Sequence, residues 1–269
     1  RMDITRTGHT MNLKEELEQK QYCIENMSEQ DLTLAYERLA NNGFPTKETL
    51  SFCYEIGRSN QVAYHYKLIV EDWQRGTAKR LRLETWFELH GKDGVDFLFD
   101  VLAHEPENMS AAYLLAGTLE KMSHQNFYTE SCCKLTEHLE KRLPISDATE
   151  RRMGIIALGW IANEKSLPVL HHHLLADSDE LCRAWSASSL MQMSFNRGRK
   201  GTIRKRSASV LREAIEKETD LFALGTMIDT VQTLWDKKFG LSGIAVEERR
   251  EASIQKARKS AMRFLENSL

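Results

Sequence analysis

Apolar residues recur along most of the chain with the spacing of a helix. Leu32, Ala35, Tyr36, Leu39 and Ala40 fall at positions i, i+3, i+4, i+7 and i+8 of one stripe, which is the pattern of an amphipathic helix. The strict alternation of apolar and polar residues that is typical of a strand is not sustained anywhere. The pattern therefore predicts an all-α protein.

Three helices are predicted in the N-terminal part of the chain. The first contains the stripe above and ends at Gly43, the second begins after Thr46, and the third covers Val62 to Trp73. Glycine commonly ends a helix because it adopts the left-handed conformation without a steric penalty. Residues 1–76 are predicted to form an N-terminal helical cap.

From residue 77 onward the chain resembles itself. A shift of 72 residues places Leu98 on Leu170, and a shift of 32 places Arg151 on Arg183. Helix pairs that recur every 32 to 40 residues are typical of a stacked array, in which each pair buries its apolar face against its neighbours. Residues 77–269 are thus predicted to form one continuous array, with pairs at 78–104, 108–142, 147–176, 179–217 and 219–268.

Residues 151–193 show the repeat most clearly. They combine leucines at helical spacing with small residues and with an acidic turn followed by an arginine: Ala157, Leu158, Gly159, Leu167, Leu170, Leu174, Asp177, Asp179, Arg183, Ala184, Ala187 and Leu190. This pattern resembles the HEAT repeat, particularly the bacterial HEAT-like kind. The match is fair for residues 79–107 and weak elsewhere.

The resemblance implies a fold and a general role. The fold is a right-handed α-α superhelix, in which the second helix of each pair usually lines the concave side. An Asp in the turn between repeats and an Arg early in the next helix typically fix adjacent units, and Asp177 and Arg183 match those positions. The role is binding, without a particular partner, because one architecture serves many functions.

Composition excludes several classes of protein. The 269 residues are 41% hydrophobic and 28% charged, with only 4 Pro and 14 Gly, too few for the many tight turns of a β-sandwich or barrel. No apolar stretch approaches the roughly 18 to 20 residues that span a bilayer. The five cysteines include no CxxC pair, so neither disulfides nor zinc are expected. Without a secretion signal at its start, the chain is predicted to be cytoplasmic.

Charge is divided unevenly along the chain. Residues 1–179 carry 20 Lys and Arg against 28 Asp and Glu, net −8, whereas residues 180–269 carry 17 against 11, net +6. The segment Asn196–Arg206 concentrates this excess and is interpreted as a flexible basic insertion that binds phosphates or an acidic protein surface. Its candidate partner-binding residues are Arg197, Arg199, Lys200, Arg204, Lys205 and Arg206.

Three consecutive histidines form a second candidate site. Consecutive helical side chains diverge by about 100°, so His171, His172 and His173 cannot converge on one ion unaided. With Leu170 and Leu174 on the buried face, His171 and His172 are predicted to be exposed and to contact a partner. Trp160 and Trp185 are interpreted as core packing, although HEAT-like DNA glycosylases place tryptophans on their concave surface.

No catalytic motif is present in the sequence. GxGxxG, P-loop, GxSxG, HExxH and EF-hand spacings are all absent, and no cofactor, metal or catalytic residue is predicted. Cys132 and Cys133 are interpreted as packing residues. Two hypotheses remain: a non-enzymatic module that binds a protein partner, and a nucleic-acid-binding HEAT-like protein, including a glycosylase-like enzyme.

Overall fold

The structure is a computed structural model that describes residues 12–75 and 80–268. Most of these residues are helical, and none of them lies in a strand, which confirms the all-α prediction. Contacts divide the chain into two compact units, Arg1–Phe97 and Leu98–Leu269.

The described residues of the N-terminal unit form four α-helices and a 3₁₀ segment, Leu83–His90, followed by the start of a fifth helix. The helices are α1 (Leu13–Glu25), α2 (Glu29–Asn41), α3 (Thr46–Arg58), α4 (Val62–Trp73) and α5 (Gly91–His104), which continues into the second unit. Asn12 and Ser28 start α1 and α2 with capping boxes, which satisfy free N–H groups at the N-terminus of each helix. Helices α2 to α4 confirm the three that the sequence predicted, whereas α1 was not foreseen.

Two buried polar side chains organise the core of this unit. Asp72 on α4 is fully buried and accepts hydrogen bonds from the backbone N–H groups of Leu81 (2.8 Å) and Arg82 (3.0 Å). His65, also on α4 and fully buried, has Nε2 3.1 Å from the Leu83 carbonyl and Nδ1 2.9 Å from Nε2 of His90. Together these bonds hold the segment after residue 80 against α4.

The bond to the Leu83 carbonyl fixes the proton of His65. A carbonyl only accepts, so Nε2 of His65 carries hydrogen and donates to Leu83. In the neutral ring Nδ1 can then accept a hydrogen bond from Nε2 of His90, while a backbone hydrogen bond to Ser59 favours the charged form of His90. Burial lowers the pKa of His65 to about 3 and that of His90 to about 4, because a charged imidazole would lose its hydration.

The histidine pair makes the N-terminal unit sensitive to acid. Both folded pKa values lie below the unfolded value of 6.5, so the unfolded chain binds more protons as the pH falls from about 6.5 towards 4. Each pH unit in that window should cost up to about 1.4 kcal/mol of stability per histidine. We expect urea unfolding at pH values from 7 to 4.5 to show that the free energy of unfolding falls with pH. His90→Gln should make this fall less steep.

The matched control for this experiment is His172→Gln, at an exposed position in the other unit. It should leave the pH dependence unchanged. Equal slopes in the wild type and His90→Gln would contradict the account of the pair.

The C-terminal unit consists of the end of α5, one short 3₁₀ segment and nine further helices. The helices are α6 (Met109–Glu120), α7 (Tyr128–Arg142), α8 (Ala148–Ile161), α9 (Leu167–Ala176), α10 (Glu180–Phe195), α11 (Lys200–Lys217), α12 (Leu221–Trp235), the short α13 (Gly243–Glu247) and α14 (Glu251–Glu266). Asp147, Asp179 and Asp220 cap the N-termini of α8, α10 and α12 in the same way. The repeated cap supports the internal repeat seen in the sequence.

These helices pack in two layers. In the first layer α6, α8, α10 and α12 lie side by side in that order; in the second, α9 packs on α11 and α11 on α14, with α7 against α6 and α8. The helices of the first layer are close together. A Cβ on Gly159 of α8 would lie 2.9 Å from the Cα of Ser189 on α10, so only glycine fits at this contact.

The predicted core of the array is confirmed. Leu98, Leu102, Leu170, Leu174 and Leu190 are all buried, with at most 5% of any side chain exposed. The helix ends also agree with the predicted pairs to within a few residues from α6 onward.

Candidate functional site

The turns between helix pairs are joined by a repeated arginine contact. The guanidinium of Arg151, at the start of α8, donates from Nη2 and Nε to both carboxylate oxygens of Asp177 (2.9 and 3.1 Å). Its Nη1 donates to the carbonyls of Ile145 (3.0 Å) and Ser146 (2.7 Å). One side chain thus links the turn before α8 to the turn before α10.

Arg183 repeats this contact one unit later. It donates to both carboxylate oxygens of Glu218 (2.7 and 2.9 Å) and to the carbonyl of Asp177 (2.9 Å). Arg183 thus reaches the backbone of Asp177 rather than its carboxylate. The acidic side chains of Asp177 and Glu218 are each only 2% exposed.

Four hydrogen bonds converge on the Asp177 carboxylate, as many as the Glu218 carboxylate accepts. Burial opposes its ionisation, but the bonds from Arg151, from the Asp179 amide and from His173 outweigh that cost and lower its pKa to about 2. A buried carboxylate with this many donors stays charged down to strongly acidic pH. The cluster is therefore a structural joint between repeats.

The basic segment is not the flexible insertion that the sequence suggested. Only Asn196–Arg199 forms a connector, and α11 begins at Lys200, because Lys and Arg are good helix formers. Five of the six basic residues bond to groups within the chain: Arg197 to the Ile161 carbonyl, Arg199 to Glu164, Lys200 to Asp236, Arg204 to Asp236 and the Leu234 carbonyl, and Arg206 to the Glu164 carbonyl. Lys205 is exposed.

Two of these bonds, those from Arg197 and Arg204 to backbone carbonyls, have a common electrostatic cause. The carbonyls of Ile161 and Leu234 lie at the C-terminal ends of α8 and α12, where the helix dipole attracts cations. The connector also contacts residues of helices earlier in the chain. Asn196 donates to the Glu120 carboxylate (3.4 Å), and the Arg197 guanidinium lies 5.7 Å from the centre of the Tyr128 ring. The connector therefore contacts the ends of several helices.

The two candidate histidines behave differently. His172 is exposed, as predicted. The prediction for His171 is wrong: it is half-buried, with Nε2 2.9 Å from the Oγ of Ser207 on α11, because neighbouring second-layer helices pack over its side of α9. Nδ1 of His173 lies 2.8 Å from the Asp177 carboxylate.

A different set of residues forms an apolar surface. On the side of the first layer that is turned away from the second, seven large apolar side chains lie at least partly in solvent. We call this surface the aromatic face: Tyr113, Met153, Ile156, Trp160, Trp185, Phe195 and Phe222. Phe195 is 59% exposed and the others are half-buried.

Ring contacts connect neighbouring helices on the aromatic face. The Tyr113 and Trp160 rings are 5.0 Å apart between α6 and α8, and Trp185 and Phe222 are 6.1 Å apart between α10 and α12. Trp160 also lies over Gly117, whose missing side chain leaves room for the indole. Trp160 and Trp185 thus pack against neighbouring helices, as the sequence suggested, but remain partly exposed rather than fully buried in the core.

Cys132 and Cys182 are buried in this unit, whereas Cys133 is exposed and is not the packing residue that the sequence suggested. Burial raises the pKa of Cys132 to about 11 and that of Cys182 to about 12, so both are thiols at neutral pH. Within the described ranges, no three His, Cys, Asp or Glu side chains are grouped so that they could hold a metal ion. Among the described residues, no helix has the length and hydropathy needed to cross a bilayer.

Comparison of the chain with protein families, with characterised proteins and with solved structures finds no match among any of them.

Proposed function

We propose that the chain is a non-enzymatic, cytoplasmic interaction module whose aromatic face holds a protein partner. The observation that carries the proposal is the composition of that face: four adjacent helices present large apolar side chains to solvent. Aromatic residues and Met are enriched in the centres of protein interfaces, and a contiguous exposed apolar patch marks an interaction site.

We also propose that the C-terminal unit is a right-handed, HEAT-like superhelix that curves towards its first layer. Outward side chains of the first layer such as Trp185 and Thr226 are half-buried, whereas Lys134, Glu137 and Ser209 on the second layer are exposed. Side chains that point into a concavity are shielded by their neighbours. The aromatic face would then be the concave surface, formed by first helices rather than by the second helices of the HEAT resemblance.

The electrostatics favour a protein over a nucleic acid. A nucleic-acid site needs basic side chains that are free to neutralise phosphates. Most of the basic segment instead bonds to carboxylates and helix ends of the chain itself.

The proposal predicts that charge on the aromatic face abolishes partner binding. Phe195→Glu with Ser188→Glu places two carboxylates on that face without opening a core cavity, and should reduce recovery of the partner from source-cell lysate at least about tenfold. The control, Lys205→Glu with Ser209→Glu, changes exposed second-layer positions and should bind like the wild type. If the control loses the partner while the face variant retains it, the second layer is the binding surface.

A further inference from the structure

A polar pocket of about 420 Å³ lies in the N-terminal unit, separate from the aromatic face. It opens where the ends of α1 and α3 meet the starts of α4 and α5. Its volume is in the range of small-molecule sites. Three charged side chains line it, Glu25, Arg58 and Asp93, together with Asn60 and His90.

The three charges do not neutralise one another. Within the part of the chain that the structure describes, neither Glu25, Arg58 nor Asp93 forms an ion pair. Glu25 accepts only a hydrogen bond from the Gln21 amide (2.8 Å), and the Arg58 guanidinium lies 5.8 Å from the centre of the Tyr54 ring. One cation and two anions therefore line the same pocket without pairing with one another; Arg58 and Asp93 are exposed and Glu25 is half-buried.

The start of α4 adds donors to the cationic side of the pocket. Gln61 occupies the N-cap position but makes no side-chain cap, and His65 is the first residue whose N–H bonds within the helix, to the Gln61 carbonyl. The N–H groups of the first turn are thus free, beside the pocket residues Asn60 and Val62. A helix N-terminus next to an arginine favours a carboxylate.

The back wall of the pocket is rigid. His90 lines it and is tied to the buried His65, which is tied in turn to the Leu83 carbonyl. These bonds fix the position of His90 before a ligand arrives, which reduces the cost of binding.

We propose that this pocket binds a small zwitterion, a free amino acid or a dipeptide. Arg58 and the first turn of α4 hold its carboxylate, and Glu25 and Asp93 hold its ammonium group. The chemistry is that of charge-assisted hydrogen bonds at both ends of one ligand.

Calorimetric titration of the whole chain tests this proposal. The probes are the twenty standard l-amino acids and glycyl dipeptides, and for each binder its decarboxylated amine and its N-acetyl derivative. We expect at least one amino acid or dipeptide to bind with a Kd below about 10 mM, and both derivatives to bind at least about tenfold more weakly, because each lacks one charge. Binding of the amino acids or of the dipeptides shows which of these two kinds of molecule is the ligand.

Two matched variants locate the binding. Arg58→Gln should weaken it about tenfold, whereas Arg82→Gln, an exposed arginine of the same unit outside the pocket, should leave it unchanged. Asp93→Asn tests the ammonium end in the same way. The proposal is wrong if no probe binds below about 10 mM, if the derivatives bind as well as the parent, or if Arg58→Gln and Arg82→Gln are equivalent.

Discussion

Asp177→Asn should destabilise the C-terminal unit by about 3 to 5 kcal/mol, the cost of breaking a buried ion pair from one side. The asparagine keeps the shape of the side chain but removes its charge, and its NH₂ group would face a donor of Arg151 or His173. For a unit of this size, each kcal/mol lowers Tm by about 2 to 4 °C. Thermal unfolding followed by circular dichroism measures the change.

Asp236→Asn is the matched control for this variant. Asp236 accepts bonds from Lys200 and Arg204, yet its side chain is 71% exposed, and exposed ion pairs contribute about 0 to 1 kcal/mol. Asparagine also tolerates the positive φ of 54° at this position. Equal losses of stability at the two positions would show that the joint at Asp177 has no special role.

Leu170→Ala should cost about 2 to 5 kcal/mol, because it leaves a cavity in the packed core. Leu170 on α9 is fully buried. The control Ile244→Ala removes a similar side chain from α13, where 60% of it is exposed, and should cost no more than about 0.5 kcal/mol. A small effect of Leu170→Ala in urea unfolding would contradict the register of the helix pairs.

The sequence predicted the helices of the array because the signals are local. The start of α10 is specified by Asp179, whose side chain caps it, and its buried face by leucines at helical spacing such as Leu190. The 32-residue shift that aligns Arg151 with Arg183 corresponds in the structure to a repeated contact. Their acidic partners lie 26 and 35 residues further along the chain, and their pairing follows from the stacking.

The candidate site was predicted less well because its determinants are not local. In the sequence the basic segment is a run of charges without nearby partners. Glu164 and Asp236 lie beside it only in the folded protein. Helix α8 carries apolar residues on all sides, so periodicity cannot separate its core face from the face that carries Trp160. The bond between His65 and His90 spans 25 residues and has no signal in the sequence.

Site-specific photo-crosslinking in the source cell tests the central claim most directly. A benzophenone side chain at Ser188 or Thr226 would lie on the first-layer surface beside the aromatic face, and at Ser209 it would lie on the exposed second layer. We expect irradiation to give one discrete protein adduct from Ser188 and Thr226 and none from Ser209. An adduct from Ser209 alone, or no adduct from either first-layer position, would contradict the assignment of the aromatic face as the protein-binding surface.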